Sequence, residues 1–230
     1  MGFHLSDRAT RMLERRLRNP KELRSQPEIE SLLLSLGCPP THPIIPFQTR
    51  LGGYSYAVRG DHVMELGIGS DPVIERRGGL WYCMIGDHST APLSLYMAET
   101  GTIYAGSIPI TSSDLIFIEG DAVQDSLLDI EPTWQVARID LPKESLAAFR
   151  ARLKQLELVK VLEASDAFGE WWLGKDFAVE RYTPWHDDPG VHMLLYSSSM
   201  RGLSTFRRAV SDIIQMKETW SYPPHPDLTR

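Results

Sequence analysis

Between Gly78 and Ala137 the chain contains neither lysine nor arginine. Phosphate contacts need basic side chains, so this stretch is excluded as a nucleic-acid surface and no nucleic-acid partner is expected. Long apolar runs are also missing. None approaches the roughly 18 residues of a bilayer span, and no membrane association is expected. Met1 to Arg18 is arginine-rich, contains acids and lacks the apolar centre of an export signal, which points to the cytoplasm. Cysteine is scarce: Cys38 and Cys83 stand far apart, neither in a CxxC pair. Each follows an apolar or aromatic residue, so buried free thiols are expected, not a disulfide or a metal site.

What is present is an ordinary globular mixture, with 42% apolar and 23% charged residues in a 230-residue chain. That length suits one large domain or two small ones. The net charge of −6 is unevenly spread. Residues 1–50 carry +3, residues 51–132 carry −9, and residues 133–230 are neutral. An acidic segment of this kind favours a cationic partner, whose approach the field accelerates. A solvated acidic face that only maintains solubility is the plain alternative.

Periodicity divides the chain. Ser6 caps a helix with Ala9, Met12, Leu13 and Leu17 on one face, ended by Asn19-Pro20. A second helix from Pro27 sets Ile29, Leu32, Leu33 and Leu36 together and stops at Gly37. A third, short helix over Ile45 to Leu51 ends at Gly52-Gly53. Period-two strands are then expected at Tyr54–Val58, Val63–Leu66, Leu80–Ile85, Leu93–Ala98, Thr102–Ala105 and Leu115–Ile118. Glu99-Thr100-Gly101 is the hairpin turn between the fourth and fifth. Gly120-Asp121 caps a helix carrying Ala122, Val123, Leu127 and Leu128, and Pro132 closes the first part.

The second part, residues 133–230, predicts β-α-β-β-β-β-α, an α+β sandwich with helices on one face of an antiparallel sheet. Its strands are Trp134–Ile139, Leu158–Leu162, Glu170–Leu173, Phe177–Tyr182 and His192–Tyr196. One helix starts at Pro142 with Leu146, Phe149, Leu153 and Leu156 inward. The other starts after Gly202, with Leu203, Phe206, Val210, Ile213 and Ile214 inward. The proline-containing tail from Tyr222 is expected to be irregular.

The run Leu36-Gly37-Cys38-Pro39-Pro40, followed by Ile45-Pro46-Phe47-Gln48 and Leu51-Gly52-Gly53, resembles the entry to SUKH-superfamily domains. Met84-Ile85-Gly86-Asp87, Leu93-Ser94-Leu95-Tyr96 and Gly101-Thr102-Ile103-Tyr104 are similar to their central motif. The Gly120 to Leu128 helix matches their closing helix. The resemblance covers about residues 28–131. Leu51 departs from the usual aromatic residue, and the Ser70–Gly79 loop is longer than usual. The resemblance implies an α+β fold of antiparallel or mixed sheet with flanking helices. It also implies a bacterial immunity protein, one that binds a cognate toxin and occludes its active site. It carries no catalytic residues, so no enzyme and no cofactor is expected.

For such a role the candidate partner contacts are Asp61, Glu65, Asp87, Glu99, Asp114, Glu119 and Asp121, chosen for charge and expected placement on loops or strand edges. A regulatory or scaffold module on the same fold is a second reading. A metal-dependent hydrolase on Trp185-His186-Asp187-Asp188-Pro189-Gly190-Val191-His192 is a third, but Pro189 and Gly190 make this a polar turn before they make it a metal site. Gly67-Ile68-Gly69 follows a strand but precedes no helix, so it is no phosphate cradle. Ser197-Ser198-Ser199 reads as turn chemistry, the Asp87-His88 pair as a surface turn, and Cys83 as an inert buried thiol. Trp171, Trp172, Tyr182 and Trp185 read first as core and second as interface anchors.

Overall fold

The computed structural model describes residues 4–58, 62–88, 94–130, 134–183 and 190–222, with the side chains of 56–58, 62, 63, 87, 88, 128–130 and 215–222 outside that description. The protein is α+β, with two antiparallel sheets and six α-helices among the described residues. It divides into two compact units, Thr10–Asp114 and Met1–Ala9 with Leu115–Arg230. The division therefore falls at Asp114, whereas the sequence reading drew it at Pro132.

Helix α1 (Asp7–Glu14) runs across the division at Ala9, and strand β1 (Leu17–Arg18), α2 (Gln26–Ser35) and α3 (Ile44–Leu51) follow in the first unit. Ser6 caps α1 by accepting the Ala9 N–H, as its position before an apolar stripe predicts. Ser25 and Glu28 form a capping box on α2, and Gly37 at φ +77° ends that helix in the left-handed conformation that glycine tolerates. Leu17, expected on the inner stripe of α1, is instead 82% exposed, because the helix ends at Glu14 and β1 takes over.

The sheet strands follow as β2 (Tyr54–Val58), β3 (His62–Leu66), β4 (Ile74–Arg77), β5 (Leu80–His88), β6 (Leu95–Ala98), β7 (Ile103–Ala105) and β8 (Ile108–Thr111). Their order is β1-β2-β3-β5-β6-β7-β8, with β4 paired to β5. One face is apolar: Met64, Leu66, Cys83, Ile85, Leu95, Met97, Ile103 and Ala105 are buried. Helix α3 meets β5, and α2 packs on α3. Gln48 of α3, wholly buried, ties the helix to the turn at Glu22 and to the loop that follows β3. Its Nε2 donates to the Glu22 carbonyl at 2.7 Å and its Oε1 accepts the Ile68 N–H at 2.6 Å, so neither end is left unpaired.

Leu115–Ile118, expected as a strand, is the first turn of helix α4 (Asp114–Ile130). Ile118, Ala122, Val123 and Leu127 are buried at helical spacing. Gly120 does not cap this helix but sits inside it, where a Cβ would lie 3.4 Å from Trp171 Nε1.

The second sheet contains β9 (Trp134–Leu141), β10 (Val159–Val161), β11 (Glu170–Leu173), β12 (Phe177–Tyr182), β13 (Val191–Ser197) and β14 (Gln215–Tyr222), in the order β10-β11-β12-β13-β9-β14. Helices α5 (Leu146–Gln155) and α6 (Met200–Val210) cover one face. There Phe149, Leu153, Leu203, Phe206 and Val210 pack with Ile139, Trp172, Val179, Met193 and Leu195. The other face is not open, as a one-sided sandwich would leave it. Val123 and Leu127 of α4 pack there with Trp134, Val136, Trp171, Ala178, Leu194 and Tyr196. Trp171 and Trp172 point to opposite faces by strand alternation, so both fill cores and neither is an interface anchor.

Candidate functional site

The face of the first sheet opposite its helices is polar and aromatic, and strand register defines its members. Tyr82 lies opposite Glu75 and Ala98, Met84 opposite Tyr96, and Tyr96 opposite Tyr104. Opposed residues of an antiparallel pair share a face. The pairing shifts between Met84 and Gly86, so that Ile85 is the extra residue and both it and Gly86 are buried on the helix side. A Cβ at Gly86 would meet the Glu65 carbonyl at 2.9 Å, which reserves the position for glycine. The bulge restores alternation so that Asp87 falls on the face of Met84 and Tyr82. Asp87 in turn pairs with Glu65 of β3, and Glu65 is exposed.

Arg77 joins this face from the edge strand β4. Its guanidinium stands 5.3 Å from the Tyr82 ring centroid and 4.5 Å from that of Tyr96. It also donates to the Gly106 carbonyl at 2.9 Å and pairs with Glu75. Tyr82 and Tyr104 meet edge to face at 5.2 Å. Burial pushes the Tyr104 hydroxyl pKa up, and the contact with Tyr82 adds to the shift. The result is a row of tyrosines around one arginine, with Tyr82 buried, Tyr96 and Tyr104 half-buried and two acidic positions in facing register beside them. Sequence reasoning did not find this row, because Ile74–Arg77 has no apolar alternation and gave no strand signal.

The seven acidic candidates divide sharply. Glu65 and the position of Asp87 lie together on this face. Glu99 is exposed in the β6–β7 turn and accepts the Trp81 N–H at 3.3 Å. Asp61 lies outside the described residues. Asp114 is spent in an ion pair with Arg50 at 2.6 Å. Glu119 is a correction: only 3% exposed, it accepts from both the N–H and the hydroxyl of Ser6 at 2.6 Å, a buried role that leaves no carboxylate for a partner. Asp121 is half-buried on helix α4, not on a loop or strand edge.

Other candidates resolve differently. His186, Asp187 and Asp188 lie outside the described residues. His192 is not a loop residue: it sits in β13, buried, with Nδ1 2.8 Å from Asp140. Ile68 donates its N–H to Gln48, so Gly67-Ile68-Gly69 presents no amide cradle. The Ser197 hydroxyl is buried and donates to the Ser199 carbonyl, and Ser199 caps α6 by accepting from Gly202.

Cys38 and Cys83 are buried free thiols, yet the fold brings them together with His42, their ligating atoms all within 4.8 Å of one another. Burial pushes both thiol pKa values up and the His42 pKa down. The 45-residue separation of the cysteines gave no sign of this cluster. Among the described residues no helix is long and apolar enough to cross a membrane. No family model, curated protein or solved structure matches the chain.

Proposed function

We propose that this chain is a binding protein of the immunity type, which holds a cationic protein toxin against the outer face of its first sheet and blocks the toxin's active site. The observation that carries the reading is the shared face of Tyr96, Tyr104 and Arg77, packed on the buried Tyr82, with the exposed Glu65 and, in register with it, the position of Asp87. Tyrosine and arginine dominate the energetic centres of protein interfaces, and charged groups belong on the rim. The acidic balance of residues 51–132 speeds encounter with a cationic partner, as does the absence of lysine and arginine between Gly78 and Ala137. The SUKH resemblance of residues 28–131 supports the same role. The role needs neither catalytic residues nor a cofactor.

The test is to read the genes on either side of this one and to co-purify and titrate the full chain with the product of a neighbour that encodes a cationic effector-like protein. Complex formation at low salt, weakening as salt rises, is expected. A neighbouring product that shows no complex at low salt overturns the proposal.

A further inference from the structure

The buried Cys38, His42 and Cys83 cluster is built from three separate devices. Gly37 ends α2 with its N–H on the Leu34 carbonyl, and the Cys38 N–H then reaches back to the Leu33 carbonyl at 2.9 Å. This double closure fixes Cys38 one step beyond the left-handed glycine. His42 is held by its own N–H on the Pro39 carbonyl and by its ring, whose Nδ1 accepts the Ile44 N–H at the start of α3 at 3.1 Å. Cys83 comes from β5, which pairs with β3, β4 and β6. All three side chains are 1–2% exposed.

The ring hydrogen bond decides the donor set. Because Nδ1 accepts from Ile44, the proton of the neutral imidazole is on Nε2. Nε2–H faces the Cys83 sulfur at 3.8 Å and the Trp81 carbonyl at 3.4 Å. A histidine that ligates a metal through Nε2 carries its proton on Nδ1 and donates it outward. Ile44 blocks that arrangement. His42 is therefore a hydrogen-bond donor to sulfur, and the ligands are the two thiols. A pair of thiolates without nitrogen or oxygen partners suits a soft d10 ion in two-coordination, whereas zinc asks for four ligands. Two metal–sulfur bonds of about 2.3 Å in line span roughly 4.6 Å, and the two sulfurs lie no more than 4.8 Å apart, so the ion needs only a small adjustment of the two side chains.

We propose that Cys38 and Cys83 bind one Cu(I) ion as a buried bis-thiolate, with the His42 Nε2–H donating to the Cys83 sulfur. Binding forms two Cu–S bonds, breaks two S–H bonds and releases two protons, with no change in oxidation state. The site goes from neutral to one negative charge, which the His42 N–H partly offsets. This inference does not depend on the partner-binding reading.

The test is anaerobic titration of the folded full chain with Cu(I) in the presence of a colorimetric Cu(I) chelator, followed by X-ray absorption of the loaded wild-type protein. One Cu(I) per chain is expected, with two sulfur neighbours and no short nitrogen neighbour. Cys38→Ala and Cys83→Ser should each lower affinity at least a hundredfold. If either variant fails to fold, the wild-type coordination spectrum and a rise in its melting temperature on loading still decide. No uptake by the folded chain, uptake only under denaturant, or unchanged uptake by folded variants overturns the proposal. So does a first shell containing imidazole nitrogen, which would make His42 a ligand.

Discussion

Removal of the Glu170 charge should destabilise the second unit more than the loss of any surface charge. Glu170 sits on β11 with its side chain 4% exposed. Its carboxylate accepts from Arg150 Nε at 3.1 Å and from the neighbouring guanidinium nitrogen, and from Lys160 Nζ at 3.2 Å. Arg181 Nη2 stands 3.9 Å away. Glu170→Gln keeps the shape but leaves three cations around a neutral group. The loss of one partner of a buried ion pair costs about 3–5 kcal/mol. For a unit of this size that lowers the melting temperature by roughly 10–20 °C. Differential scanning calorimetry and urea unfolding read the change. In a double-mutant cycle, Glu170→Gln with Arg150→Leu should recover part of the loss, since one stranded cation is gone.

The pH dependence supplies a second readout. Burial alone would raise the Glu170 carboxyl pKa, but the Arg150 hydrogen bond, the charges of Arg181 and Arg150 and the Lys160 hydrogen bond together hold it below the usual range. A carboxyl whose folded value is depressed gives stability that is present above the unfolded value, about 4.3, and is lost as pH falls through the folded value. Wild-type stability should therefore drop more steeply below about pH 4 than that of Glu170→Gln. A Gln variant within about 1 kcal/mol of wild type, well short of a buried-pair loss, with the same acid slope, would refute the view of Glu170 as the hub of the cluster.

Three further perturbations test the packing. Gly53 has φ +82°, and a Cβ there would meet the Asn19 carbonyl at 2.6 Å, so Gly53→Ala should cost more than about 1–2 kcal/mol, read by chemical denaturation of the full chain. Trp134 donates its indole N–H to the Leu127 carbonyl at 2.7 Å in a buried setting; Trp134→Phe should cost about 1–3 kcal/mol in thermal unfolding. Phe206, fully buried with Phe177 at 5.5 Å and Phe149 at 6.4 Å, should cost about 3–5 kcal/mol on change to alanine, with loss of near-ultraviolet circular dichroism.

Much of the architecture was legible where side-chain periodicity met a clear stop signal. β2, β11 and β12 begin and end where alternation and turn residues place them, and α3 shifts by one residue. The misses have physical causes. Leu115-Ile116-Phe117-Ile118 is a short apolar run, which periodicity alone does not assign to helix or strand, and here Asp114 starts a helix. β4 is an edge strand of charged residues, and β8 carries Pro109, which only an edge tolerates. β14 is polar by sequence and pairs with β9 by backbone register. The site was less legible than the fold. Net charge by segment marked residues 51–132 as acidic, but it did not separate the exposed Glu65 from Glu119, whose partner Ser6 lies 113 positions away. Ligand clusters such as Cys38, His42 and Cys83 also assemble only through long-range pairing, which no local spacing records.

The central claim is that the tyrosine face, with Glu65 at its margin, grips a cationic protein. Isothermal titration of the full chain against the cationic effector-like product of a neighbouring gene that encodes one, for wild type, Tyr96→Ala and Glu65→Lys, tests it most directly. Tyr96→Ala should weaken binding about thirtyfold or more, as the loss of a hot-spot residue does. Glu65→Lys should mainly slow association and flatten the salt dependence. Both variants binding the partner as tightly and as salt-sensitively as wild type would contradict the account.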